Sequence, residues 1–185
     1  MKRVLFLTAL LISLAALPAA PAGAAKLDSL IAPPSVCPGQ GNPLEKVAGQ
    51  LRAMRCMTNY AREQKGIGPL NRVPALERAG LHKSADIIRC DEFSHEACGR
   101  EFTYWMEYFG YLHGPCTRAG ENIAWGSGPL GSVRSIFTAW IHSSGHRANI
   151  LGGGFHDFGI GLHVGALEGT PDAHVWTQEF GSRSC

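Results

Sequence analysis

From Val133 to Ile141 the residues Val133, Ile136, Phe137, Trp140 and Ile141 fall at i, i+3, i+4, i+7 and i+8, which puts all five on one face of a helix. The period breaks at Gly145, just before His146 and Arg147, and Ile150 and Leu151 bring the chain back inside. This spacing predicts an anchored helix followed by a turn that holds His146 at a pocket wall. A lone histidine is more often a satisfied structural group than a ligand. Its meaning depends on whether other segments aim polar groups at the same place.

Lys2 and Arg3, the apolar run Val4–Leu17 and the small residues Ala22-Gly23-Ala24 read as a cleaved export signal over residues 1–24. The run is too short for a membrane span, and no cysteine follows it to carry a lipid, so the expectation is a secreted protein, extracellular or periplasmic, with no span in the mature chain. Seventeen basic and 15 acidic residues become 15 of each once Lys2 and Arg3 leave. That balance, with no basic stripe, gives no footprint for nucleic acid. The six cysteines, Cys37, Cys56, Cys90, Cys98, Cys116 and Cys185, all follow the signal and admit 15 pairings into three disulfides. Cys90 and Cys98 flank a short loop and are expected to clamp it; Cys37–Cys56 and Cys116–Cys185 would complete the set. A cysteine zinc site is disfavoured by the absence of a CxxC pair and by the oxidising compartment.

Residues 25–43 form a Pro/Gly-rich leader. A first helix is expected over about 43–64, with Leu44, Val47, Leu51, Met54, Thr58 and Ala61 as its stripe. Leu70 is a buried peg before a second helix, about 74–89, that turns Leu76, Leu81, Ala85 and Ile88 inward. Phe102, Trp105, Met106 and Phe109 fit one face of a third, aromatic helix within 101–111. Gly120–Trp125 reads as a short strand. Phe158, Ile160, Leu162 and Val164 then alternate with Gly159, Gly161, His163 and Gly165, a strand whose glycine face accepts close approach from a helix. Gly169–Asp172 turns the chain, and Val175–Phe180 returns as the partner. Helices, a short strand, a helix and a terminal hairpin argue an α+β domain.

The segments Phe93-Ser94-His95, Gly120-Glu121-Asn122-Ile123-Ala124-Trp125 and Trp140 followed by Ser144-Gly145-His146-Arg147-Ala148-Asn149-Ile150-Leu151 occur in this order over a chain of this length. In this the sequence resembles the SCP-like secreted proteins of the CAP superfamily, which includes cysteine-rich secretory proteins, antigen 5 and plant pathogenesis-related protein 1, in its bacterial branch. The resemblance covers residues 44–181 and leaves 182–185 as a tail carrying Cys185. It implies a three-layer α-β-α sandwich with a small antiparallel sheet. It also implies a cleft lined by His95, Glu121 and His146, with a divalent, zinc-like metal at His95 and His146. Better-known relatives place a fourth group, a glutamate, three residues after the helix tryptophan; here that position is Ser143. Losing a carboxylate lowers the local negative charge and weakens the case for tight cation binding.

The bland alternative has Glu121 accepting N–H groups from the loop at His146, with the two imidazoles bridged by water. Arg147 reads as a carboxylate partner and Asn149 as a loop lock; His163 and His174 are surface or strand histidines that stand near enough on the hairpin to line the cleft. His95-Glu96-Ala97-Cys98-Gly99 lacks the second histidine of HExxH, no G-x-S-x-G is present, and paired cysteines leave no thiolate. The expected function is ligand binding in the cleft, the ligand being a small apolar molecule, an extracellular protein or a cell-wall component. The alternative is a secreted hydrolase of peptide or peptidoglycan, for instance through Ser143 or Ser144 with His146 and Glu121.

Overall fold

A computed structural model describes residues 26–114 and 117–183. The export signal and the Cys116–Cys185 pairing lie outside these residues. The chain forms helix α1 (Val47–Glu63), strand β1 (Asn71–Arg72), α2 (Pro74–Arg89), α3 (Tyr104–Tyr108), β2 (Arg118–Gly126), α4 (Val133–His142), α5 (Ser144–Ile150), β3 (Asp157–Leu167) and β4 (Thr170–Ser182). Pro74 opens α2, where its missing N–H costs nothing. The aromatic helix is shorter than its stripe implies. The break after α4 falls at Ser143, whose extended backbone (φ −86°, ψ 125°) separates the two helices. His146 therefore sits inside α5 rather than in a turn, and a Cβ at Gly145 would meet nothing.

The strands lie in the order β1-β3-β4-β2. The β3–β4 hairpin is antiparallel, with Gly159 opposite Glu179, and β2 is antiparallel to β4, with Glu121 opposite Glu179. β1 is parallel to β3, so the sheet is mixed and not wholly antiparallel as expected. The chain leaves β1 through a crossing helix, and such a connection delivers parallel neighbours. Two residues carry no alternation by which to read this.

Period two divides the hairpin between layers. Phe158, Ile160, Leu162, Trp176 and Phe180 face α1, α4 and α5 and form the larger core with Met54, Met57, Phe137 and Trp140. On the other face Val175 and Ile123 pack with Ile87, and Leu76, Met106 and Tyr111 form an adjacent cluster under α2 and α3. Gly159 and Gly161 let α2 lie on the sheet: a Cβ on either would come within 2.0 Å of the Leu76 carbonyl carbon or 2.1 Å of that of Gly80. This contact rotates α2 so that Leu76, Ala79, Gly80 and Lys83 are buried while Leu81 is not. The first-helix stripe is also corrected. Met54, Thr58 and Ala61 are buried, but Leu44 precedes the helix and is 89% exposed. Disulfides join Cys37 to Cys56 and Cys90 to Cys98. No helix among the described residues is long and apolar enough to cross a membrane.

Candidate functional site

β2 ends the sheet, so elements from both helical layers can meet around its free edge. Glu121 points to the α2 face and Asn122 to the opposite one, as alternation requires. From the α2 side comes the loop closed by Cys90–Cys98. Inside it Glu92 Oε2 accepts the Cys98 N–H at 3.1 Å, and buried Lys83 donates through Nζ to the His95 carbonyl. This places His95 Nδ1 2.6 Å from Glu121 Oε1. The Glu121 side chain is 1% exposed and that of His95 52%. A carboxylate oxygen accepts, so Nδ1 carries the proton and the opposite ring nitrogen, Nε2, is left for the cleft.

From the other layer α5 presents His146. Asn149 Nδ2 donates to the Glu121 carbonyl (3.1 Å) and to Asn122 Oδ1 (2.9 Å), while Asn122 Nδ2 donates to the His146 carbonyl (3.1 Å) and Gln178 Oε1 (3.2 Å). Gln178 in turn donates to Thr58 Oγ1 at 2.8 Å, tying α5, β2, β4 and α1 into one network. Asn149 thus locks the segment. Among the described residues Arg147 takes no carboxylate; it donates to the Ile141 carbonyl at 2.6 Å, holding α5 to the end of α4. The His146 Nδ1 is buried with no hydrogen-bond partner among the described residues. Burial first, then the His95 charge, push the His146 pKa below its ordinary value, so the ring is neutral at neutral pH.

His95 and His146 wall a shared open cleft of 600 Å³ with Phe93, Ser94, Glu96 and Ile123. Glu121 lies behind His95. Its side chain engages His95 and not the N–H groups of the His146 segment. Neither Ser143 nor Ser144 is among the walls, and His163 and His174 lie elsewhere. His174 instead faces the Pro43 and Asp172 carbonyls.

One acidic residue of this region was not singled out in the sequence. Glu179, directly across from Glu121 on β4, is completely buried on the α2 face, with the Gly80 backbone above it. Neither of its oxygens, nor Glu121 Oε2, has a donor among the described residues. Burial first, then the Glu121 charge, push the Glu179 carboxyl well above the usual range, and the opposing Lys83 charge does not cancel this. The shift favours a neutral Glu179 beside a Glu121 side chain that is already hydrogen-bonded to His95. The available signal was an acidic residue in an otherwise buried strand.

The residues present do not fit the metal that the resemblance implies. No group of three or more His, Cys, Asp and Glu side chains among the described residues stands close enough to hold an ion. Glu121 Oε1 is committed to His95, and Ser143 does not line the cleft.

Residues 57–180 match the model of the cysteine-rich secretory protein family, CAP, and the chain belongs to that family. An uncharacterized protein of Bacillus subtilis, YkwD, is 32% identical over 126 residues, 67% of this chain and 44% of that protein. The chain therefore spans less than half the length of that relative. An extracellular SCP-domain protein of Bacillus anthracis shares the fold, with a TM-score of 0.61 and 22% identity over 72% of this chain and 40% of that one. An outer surface protein of Borrelia burgdorferi does so with a TM-score of 0.60 and 14% identity over 75% of this chain and 96% of that one.

Proposed function

We propose that this is an exported recognition domain whose cleft binds a polar component of the cell wall through His95 and His146. The single observation that carries the reading is the His95–Glu121 contact, a buried carboxylate orienting a half-exposed imidazole at 2.6 Å. Such fixing of a ring lowers the ordering cost of each hydrogen bond it makes to a ligand. Ser94, Glu96 and the two histidines give the walls hydrogen-bonding groups, and the Phe93 ring offers a face for a sugar or peptide. That lining favours a saccharide or peptide over a hydrocarbon chain. Export is supported by the two disulfides and by relatives described as extracellular or outer-surface proteins.

Cosedimentation with purified peptidoglycan sacculi, and titration of soluble muropeptides followed by NMR, test the reading. Wild-type protein is expected to bind, with Phe93, His95 and His146 signals shifting. Glu121→Gln is expected to weaken binding about tenfold or more, since a charge-assisted hydrogen bond contributes about 1.5–3 kcal/mol. No binding, or binding indifferent to both Glu121→Gln and His95→Ala, would sink it. The same dyad supports a second reading, a hydrolase with His95 as general base. Chromatography of fragments released from the same sacculi decides between the two.

A further inference from the structure

Four apolar residues that the sequence pattern assigns to buried faces are exposed: Leu44 by 89%, Val47 by 47%, Leu81 by 45% and Val164 by 41%. They are neighbours. Val47 and Leu81 border a groove of 490 Å³ between α1 and α2, floored by Ile160, Gly161 and Leu162. Leu44, Val47 and Val164 border the adjoining hollow.

The floor is the outer edge of β3. β1 covers that edge at Asp157 and Phe158 alone, because Pro74 then turns the chain into α2. The Val73 N–H donates to the Phe158 carbonyl at 3.0 Å, which fixes the side to which that carbonyl points. By alternation the N–H and C=O groups of Ile160, Leu162 and Val164 point the same way, away from β4. None of these groups has a hydrogen-bond partner among the described residues. Ile160 and Leu162 are 2% and 3% exposed, so water satisfies them poorly. An edge of this kind is a template for another strand.

The rim decides what kind of strand. Arg52, Arg55, Arg72 and Arg78 line the groove against one acidic side chain, Glu77. Glu77 is already held by Arg72 at 2.6 and 2.7 Å and by Arg55 at 3.3 Å. Arg52 and Arg78 form no salt bridge among the described residues. A second copy of this chain would bring four more arginines to the same place, so the charge opposes self-pairing and favours an acidic visitor.

We infer that the open edge of β3 is a docking site for an extended, acidic segment of another polypeptide, which adds a strand beside Ile160–Val164 in line with β1. Its backbone pairs with the unpartnered groups of Ile160, Leu162 and Val164. Its apolar side chains cover Val47 and Leu81, and its carboxylates meet Arg52 and Arg78. This surface is separate from the histidine cleft, so the two can be occupied together.

The test titrates ¹⁵N-labelled protein with an acetylated seven-residue peptide alternating valine and glutamate, and with its valine–lysine counterpart. Saturable shifts and slowed hydrogen exchange are expected at the Ile160, Leu162 and Val164 amides, with a Kd below about 1 mM. Binding of the lysine peptide is expected to be at least tenfold weaker. Arg52→Glu, at an exposed position, is expected to weaken the acidic peptide about tenfold while the thermal midpoint of the protein is unchanged; Arg78 is left in place because its guanidinium stacks over the Phe109 ring at 5.1 Å. Absence of saturable shifts at the three amides, equal binding of the two peptides, or dimerisation of the free protein through this edge in sedimentation would overturn the inference.

Discussion

Replacing Glu179 by Gln tests whether the buried carboxyl is neutral. The amide keeps the size and shape of the neutral acid. What disappears is the ionisation. Because the folded-state pKa of Glu179 is raised, native wild-type protein keeps a proton that the unfolded chain releases near the ordinary value of 4.5. Below that pH both states hold the proton and its contribution is fully present. As pH rises toward the folded pKa, wild-type stability falls by about 1.4 kcal/mol per pH unit from this residue alone. The Gln variant has no such slope. Groups remote from Glu179 titrate in both proteins and cancel in the difference.

The measurement is a series of urea unfolding curves at fixed pH, with disulfides intact. From pH 5 up to the folded pKa, the stability of wild type relative to Glu179→Gln is expected to drop by about 1.4 kcal/mol per pH unit. Infrared spectroscopy is expected to show a protonated carboxyl carbonyl band at pH 6 that the variant lacks. A difference that stays constant over this range, or that moves in favour of wild type, would refute the neutral acid. It would mean that Lys83 holds Glu179 as an anion instead.

Three further outcomes follow from the geometry. Cys90→Ser with Cys98→Ser opens a loop with a sequence separation of 8 and is expected to cost about 2–3 kcal/mol in urea unfolding, with faster hydrogen exchange around His95. Gly161→Ala drives a Cβ to 2.1 Å from the Gly80 carbonyl carbon, and a loss of about 3 kcal/mol, or no folded protein, is expected in thermal unfolding. In an NMR titration the His146 ring is expected to protonate below the ordinary value of 6.5; its share of stability is lost as pH falls from 6.5 through the folded pKa, and a midpoint above 6.5 would contradict the burial described.

The sequence made legible what repeats at a fixed period. The helix face through Trp140, the glycine face at Gly159 and Gly161 and the loop between Cys90 and Cys98 can all be read from spacing. Ordered motifs pointed to His95, Glu121 and His146, but the 2.6 Å contact depends on how the disulfide-closed loop packs against β2, which no local pattern encodes. Glu179 escaped notice because its meaning comes from register: it matters by lying opposite Glu121, and register is set by a hairpin and an edge strand far apart in the chain. Leu44, Val47, Leu81 and Val164 show a different limit. Periodicity says which side a residue occupies, not whether the protein's own chain covers that side. The break after α4 was displaced from Gly145 to Ser143 because a glycine permits a bend without requiring one.

His95 hangs from one helical layer and His146 from the other, with the sheet's last strand between them. Any molecule that grips both rings at once would therefore rivet the layers together. Sliding of α5 against the disulfide loop would loosen such a molecule before either layer unfolds, so the rate of its departure would report on shear within the sandwich.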